Sequence, residues 1–197
     1  MEGNNLFPIF LKLEQLRLLI IGGGNIGLEK LQRVLENSPK TSIKLIAKEI
    51  KPEIEELAKK HSNISLIKKE YHISDLENID LIITAINDAT ISERITVDAK
   101  QKGILINAAD KPELCDFYLG SIVTKGNVKI AISTNGKSPT IAKRLKEIIA
   151  DMLPDELDEL LENIVAIRGN IKGDMQEKIR QLNELTKKLA PKSNQNK

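Results

Sequence analysis

The stretch Leu18-Leu19-Ile20-Ile21-Gly22-Gly23-Gly24-Asn25-Ile26-Gly27 decides how this chain is read. Its apolar run is short enough for a strand buried on both faces, and from Gly27 to Leu35 apolar residues recur at helical spacing. The order is strand, tight turn, helix, with Gly22, Gly24 and Gly27 in the register G-x-G-x-x-G. In that order each glycine has work to do. The first permits the turn, the second lets backbone N–H groups approach a pyrophosphate, and the third lets helix and strand pack closely. The phosphates would rest on the helix N-terminus, where unpaired N–H groups and the helix dipole favour negative charge. Without a strand before it and a helix after it, the same spacing would mark no more than a turn.

Outward from this stretch the pattern repeats. Ser42 to Ala47 predicts a second strand, Pro52 to Lys60 a helix opened by proline, Ile64 to Ile67 a third strand, and Leu81 to Ala85 a fourth. Ser74-Asp75-Leu76-Glu77 reads as one capped helical turn between them. A helix from near Thr90 to Lys102 stops at Gly103, and Ile104 to Asn107 makes a fifth strand. Such alternation predicts an α/β fold with a Rossmann-like parallel sheet. Upstream, Leu6 to Leu13 reads as an edge segment that Pro8 keeps out of the sheet centre, with its phenylalanines covering the core.

Ligands of such sheets bind beyond the carboxyl ends of the strands, and two clusters lie there. After the second strand, Ala47-Lys48-Glu49 stands where a carboxylate usually takes the ribose hydroxyls. Glu49 can do so from further along, or Lys48 can accept a 2′-phosphate, so these residues leave NAD and NADP both open. After the fourth strand, Asn87 is a candidate cofactor contact and Asp88 a helix cap, although the two roles are interchangeable at this stage. Asp110 follows the fifth strand on the same edge. A carboxylate there can act as general base if its surroundings bring its pKa towards neutrality, or can simply close a turn.

Beyond Pro112 the pattern changes to a β-hairpin, Gly120 to Thr124 and Val128 to Ser133, joined by Lys125-Gly126-Asn127. This hairpin either extends the sheet or pairs with a second subunit. Ser138-Pro139 then caps a helix with the apolar stripe Ile141, Leu145, Ile148 and Ile149. Pro154 opens another, with Leu157, Leu160, Leu161, Ile164, Val165 and Ile167 spaced for burial, ended by Gly169. Asp174 to Leu189 reads as a more polar helix and Ala190 to Lys197 as a polar tail. The expected division is a dinucleotide-binding domain over 1–112, a hairpin dimerisation and substrate segment over 113–150, and a small helical module over 151–197.

The bulk properties narrow the partners. With 29% charged and 41% hydrophobic residues in 197, the chain has the composition of a globular protein; a formal charge of +2 is too small to argue for nucleic acid, although local clusters could still matter, and no nucleic-acid partner is expected. Neither a leader nor a membrane-spanning run is expected. One cysteine, Cys115, excludes an internal disulfide and fits a reducing cytoplasm. With only His61 and His72 beside it, no metal-ligand spacing is present.

Five ordered blocks carry a wider resemblance: Asn5 to Leu11, Gly22 to Lys30, Asn107 to Asp110, Phe117 to Val123 and Ile132 to Pro139. Together they resemble the siroheme synthase family, and most of all its members that pair precorrin-2 dehydrogenase with sirohydrochlorin ferrochelatase activity. The resemblance implies NAD-dependent oxidation of precorrin-2 to sirohydrochlorin, followed in bifunctional members by insertion of Fe²⁺ as a substrate. It implies a homodimer. It puts the catalytic aspartate on Asp110 and cofactor contacts on Asn25, Ile26, Lys48 and Glu49. The family's methyltransferase domain is not expected in a chain ending at Lys197.

Precorrin-2 is rich in carboxylates and asks for donors and positive charge. Asn107, Lys111, Thr134, Lys137 and Ser138 are therefore the candidate substrate contacts, with Lys125, Lys143 and Arg144 as further basic residues. Two positions depart from the family: Gly27, usually alanine, and Ala85-Ile86, usually Ala-Thr, which removes a hydroxyl beside the expected cofactor. Two rival readings are a nucleotide-sensing regulatory module and a dehydrogenase for another anionic substrate. The former ordinarily keeps an acid where this chain has Ala47 and needs no Asp110.

Overall fold

In the computed structural model, residues 3–109, 111–155, 157–158, 161–162, 164–165 and 175–186 are described. Five parallel strands come first: β1 (Arg17–Ile21), β2 (Ser42–Ala47), β3 (Ile64–Lys68), β4 (Leu81–Thr84) and β5 (Leu105–Ala108). They form one sheet in the order β3-β2-β1-β4-β5. The helices α1 (Asn25–Asn37), α2 (Pro52–Lys60) and α3 (Ala89–Gln101) are the crossovers, and a 3₁₀ turn, Ile73–Leu76, lies between β3 and β4.

Alternation along the strands explains why both faces need cover. Leu18 and Ile20 pack with Leu31, Val34, Ile43, Leu45 and Ile54 on one side, while Leu19 and Ile21 pack with Ile82, Ile95, Ala99 and Ile106 on the other. A parallel sheet buried on two faces needs continuous apolar runs, which is why Leu18 to Ile21 reads as it does. At the amino edge Arg17 ties β1 to β4: its backbone N–H donates to Asp80 Oδ2 (2.8 Å) and its guanidinium to both carboxylate oxygens (2.7 Å each). These donors hold the Asp80 carboxyl down at about 2.

One expectation for this region is corrected. Leu6 to Leu13 forms no strand, and its aromatics do not cover the core: Phe7 is 86% and Phe10 67% exposed. Both edges of β1 are taken, by β2 and β4, so the segment before it cannot pair beside the strand it leads into. The expected capped turn near Ser74 is present as the 3₁₀ turn, with His72 as its cap. Its ring accepts the Ser74 N–H (3.3 Å), while the Asp75 carboxylate accepts the His72 N–H (2.9 Å).

The described contacts divide the chain into two compact units, one reaching Leu119 and including Asn135–Lys137, the other made of Gly120–Thr134 and the residues from Ser138 on. In the second, β6 (Ser121–Lys125) and β7 (Val128–Ile132) form a separate antiparallel pair, so the hairpin does not extend the parallel sheet. Its tight turn puts Gly126 at a φ of +52°, which favours glycine. Helix α4 (Pro139–Met152) packs on β6 and buries Ala142, while Ile141 and Ile148 stay 56% and 54% exposed. Helical backbone is described at Leu157, Leu161, Ile164 and Val165, and again in α5 (Met175–Thr186). The expectations placed on Leu160, Ile167, Gly169 and the tail after Ala190 lie outside the described residues.

Candidate dinucleotide site

Strand order reverses between β1 and β4, and the crevice at their carboxyl ends is a cleft of about 700 Å³. Its floor is the Gly22 to Ile26 loop. Gly22 has a φ of +123°, and a Cβ there would run into the Ala85 carbonyl oxygen. Gly24 has open space where a Cβ would stand, on the cleft side. Gly27 lies behind the wall, where a Cβ would run into the Gly22 carbonyl oxygen.

Helix α1 starts at this floor without any side-chain cap. By contrast α3 is capped by Asp88, whose Oδ1 accepts the Ile91 N–H (3.0 Å), and α4 by Ser138, whose Oγ accepts the Ile141 N–H (3.2 Å). An uncapped first turn backed by glycines keeps its N–H donors for an anion, so these residues fit a dinucleotide pyrophosphate.

The candidate cofactor residues Gly22, Gly24, Asn25, Ile26, Lys48, Glu49 and Asn87 all line the same cleft. Lys48 Nζ is paired with Glu70 (2.8 Å), which raises the lysine and lowers the glutamate. Glu49 is exposed on the cleft wall. Lys69 is paired with Asp75 (2.6 Å), a buried carboxylate that desolvation pushes up but that Lys69 and the His72 N–H hold below its usual range. Tyr71 donates to Asp98 (2.9 Å), and burial, then this bond, raises its phenol.

Three residues escaped the sequence reading. A Cβ on Gly23 would run into the Glu49 carbonyl oxygen, so this glycine is required by the end of β2 and not by its own turn. Lys51 braces the floor from α2, with its N–H donating to Gly23 O (3.0 Å) and its Nζ to Asn25 Oδ1 (2.8 Å). Arg94 of α3 also lines the cleft. Pro52 was the available signal for Lys51, since a proline-opened helix puts the preceding residue at the entry. Nothing local marked the other two.

The candidate substrate residues are more scattered. Asp110 lies outside the described residues. Asn107 is buried and its Nδ2 donates to Phe117 O (2.8 Å). Lys111 Nζ is shielded from solvent and has no hydrogen-bond partner among the described residues. Thr134 Oγ1 accepts the Ser138 N–H (3.2 Å), and with the Ser138 cap this closes the loop before α4. Lys137 is exposed. Lys125 is committed to Asp155 (2.5 Å) and Arg144 to Glu147 (2.8 Å), so these two charges are already balanced. Among the described residues no His, Cys, Asp and Glu cluster could hold a metal, and no helix is long and apolar enough to cross a membrane.

Residues 9–121 match the family described as "Putative NAD(P)-binding", and residues 125–152 the one described as "Sirohaem biosynthesis protein central". The chain belongs to the siroheme synthase family. The resemblance carried by the five sequence blocks is thereby borne out. Siroheme synthase of Psychrobacter cryohalolentis is 34% identical over 175 residues, covering 89% of this chain and 32% of that protein. Siroheme synthase of Methylococcus capsulatus is 33% identical over 174 residues, covering 88% and 34%. This family member thus spans about a third of the length of the curated relatives it matches. Among solved structures, "SirC, precorrin-2 dehydrogenase" superposes with a TM-score of 0.74 at 22% identity over 94% of this chain and 93% of that one, a likeness of fold.

Proposed function

We propose that this chain is a precorrin-2 dehydrogenase of siroheme biosynthesis, oxidising precorrin-2 to sirohydrochlorin with NAD. The observation that carries the reading is the uncapped, glycine-walled start of α1 at the reversal point of the sheet. The tandem of the two family matches supports it.

Bound in the cleft, NAD supplies the hydride acceptor. The N–H groups of the first turn of α1 hold the pyrophosphate, Glu49 takes ribose hydroxyls, and Asn87 contacts the nicotinamide end. Asp110 takes the proton that the tetrapyrrole releases as it loses a hydride. Lys111 and Lys137 meet substrate carboxylates, while the hydroxyls of Thr134 and Ser138 shape the loop between them. Iron, in members that also insert it, is a substrate, and the same carboxylate serves to remove pyrrole N–H protons. The exposed stripe of α4 is the surface we assign to a second copy in a homodimer, and a free thiol at Cys115 suits the cytoplasm.

Anaerobic incubation with precorrin-2 and NAD tests the reading. NADH and the sirohydrochlorin spectrum are expected to appear together; folded, NAD-binding protein that yields neither overturns it. Asp110→Ala is expected to abolish turnover with NAD affinity retained, and undiminished turnover removes Asp110 from the mechanism. Sirohydrochlorin with Fe²⁺ and no NAD tests iron insertion, for which a rate above the uncatalysed one is required. A monomeric mass by sedimentation would remove the dimer.

A further inference from the structure

Lys51 lies outside the lining of the cleft, yet it is bonded to the floor at two points. Its backbone N–H donates to Gly23 O (3.0 Å) and its Nζ to Asn25 Oδ1 (2.8 Å), while Glu53 Oε1 meets the same ammonium at 3.2 Å. The side chain is fixed at its root, because Lys51 immediately precedes Pro52 at the start of α2 and its N–H is committed to the glycine loop. It is 35% exposed, so most of the stem is covered on its way to the first residue of α1.

An ammonium has donors and no acceptor, so the end of the Asn25 amide that meets it is the oxygen. The end left over is Nδ2, a donor group on a residue that lines the cleft. The position makes this choice consequential. The first intrahelical bond of α1 runs from the Leu28 N–H to Gly24 O (2.9 Å), so the N–H groups of Asn25, Ile26 and Gly27 precede the helix's own ladder. Asparagine turns its side-chain oxygen on backbone N–H groups close by, its own or that two residues on. Oδ1 of Asn25 is therefore a built-in rival of a phosphate for these donors. In the structure that oxygen is engaged by Lys51, and no side chain caps α1.

We infer that Lys51 is a positioning residue of the dinucleotide site: it holds Asn25 Oδ1 away from the first-turn N–H groups of α1 and turns Nδ2 towards the pyrophosphate. The inference rests on the cleft as the NAD site of the proposed dehydrogenase and makes no use of its tetrapyrrole substrate. Lys51 acts through Asn25 and not by its own contact with the ligand.

Lys51→Met removes the donor but keeps the stem and the backbone bond to Gly23, and Lys51→Arg keeps a donor. In Lys51→Met the NAD Kd is expected to rise about 5- to 30-fold, the loss of a positioned hydrogen bond to a charged group. Its Tm is expected to stay within about 2 °C of the parent, because Asn25 then caps its own helix. Lys51→Arg is expected to bind NAD within about threefold of the parent. Added to Asn25→Ala, Lys51→Met is expected to change Kd by less than about twofold, since the lysine then has nothing to hold. Parental Kd in Lys51→Met overturns the inference. So does a fall in Tm that accompanies the rise in Kd and is equal in Lys51→Arg, the mark of a brace that only supports the fold. A full loss on top of Asn25→Ala overturns it too, since the lysine would then act by its charge alone. Amide exchange at Asn25 to Gly27 in ligand-free protein reads the same rearrangement without NAD. It is expected to slow in Lys51→Met, and unchanged exchange there overturns the inference. If the parent binds NAD but yields no NADH from precorrin-2, the assigned substrate alone has failed and these binding measurements still decide the role of Lys51; a parent that binds no NAD overturns both.

Discussion

Gly23→Ala and Gly24→Ala place the same methyl group one residue apart and are expected to do different damage. On Gly23 the methyl would run into the Glu49 carbonyl oxygen and stand 2.9 Å from Ala47 Cβ and 3.0 Å from Ile50 Cα. None of these is a flexible side chain, and the bond from Lys51 N–H to Gly23 O (3.0 Å) fixes the separation. The loop must lift and break that bond. Overpacking of this kind costs about 1–3 kcal/mol and the lost hydrogen bond about 1, offset by about 0.4–1 from the stiffer unfolded chain. A net loss of about 1–3 kcal/mol lowers Tm by about 3–10 °C in a chain of this size. Because the lifted loop carries the donors of the pyrophosphate site, the NAD Kd is also expected to rise at least about tenfold. On Gly24, with open space around the added Cβ and a φ of −87°, the fold accepts the methyl. It stands where the ligand must approach, so Kd rises while Tm holds. Thermal unfolding by circular dichroism and titration calorimetry with NAD read both quantities. A Gly23→Ala protein with parental Tm and Kd would refute the packing argument, and a Gly24→Ala protein binding NAD as well as the parent would remove the phosphate from this loop.

Asp80→Asn is expected to lower Tm at neutral pH. The Asp80 carboxyl is held at about 2 in the fold, below its unfolded value, so its stabilisation is full above about pH 4 and is lost as pH falls towards 2. The gap between parent and variant should close over that window in a pH series of melts, and a constant gap would show that the Arg17 bonds are not its source. Lys111→Met removes a shielded Nζ that has no partner among the described residues, and relief of that burial is expected to raise stability by about 1–3 kcal/mol. The same change should raise KM for precorrin-2 at unchanged kcat, and an unaltered Tm and KM would show the charge to be satisfied and idle.

Local pattern carried far into this molecule because burial has a period. Leu18 to Ile21, Ile43 to Ala47 and Leu81 to Thr84 announce strands covered on both faces, and Asp88 and Ser138 announce helix starts by side chains that cap them. Requirements imposed by distant chain have no such signature. Gly23 is needed because the backbone at Glu49 passes over it, and Lys51 braces Asn25 across 26 residues. The segment from Leu6 to Leu11 misled for the same reason. Its composition resembles a strand, but whether a strand forms depends on a free edge, and β1 has none. The thiol of Cys115 carries no motif either, since most of its partners are backbone atoms whose convergence only the folded turn creates.

The ambiguity between NAD and NADP at Ala47-Lys48-Glu49 is physical, and the structure changes its balance. A 2′-phosphate needs a cation free to pair with it. Lys48 already holds Glu70 at 2.8 Å and Lys69 holds Asp75 at 2.6 Å, so the basic residues contributed to the cleft by the ends of β2 and β3 are engaged. To accept a phosphate Lys48 would have to release Glu70, leaving that carboxylate to repel the incoming anion. Glu49, exposed on the same wall, offers what unphosphorylated ribose hydroxyls require. Arg94 is the lining cation that could reverse this, but it stands on α3 beside Tyr71, where its field lowers the phenol. Direct competition between NAD and NADP decides the point. Preferential binding of NAD is expected, and preference for NADP would mean that the Lys48 to Glu70 pair opens when the ligand arrives.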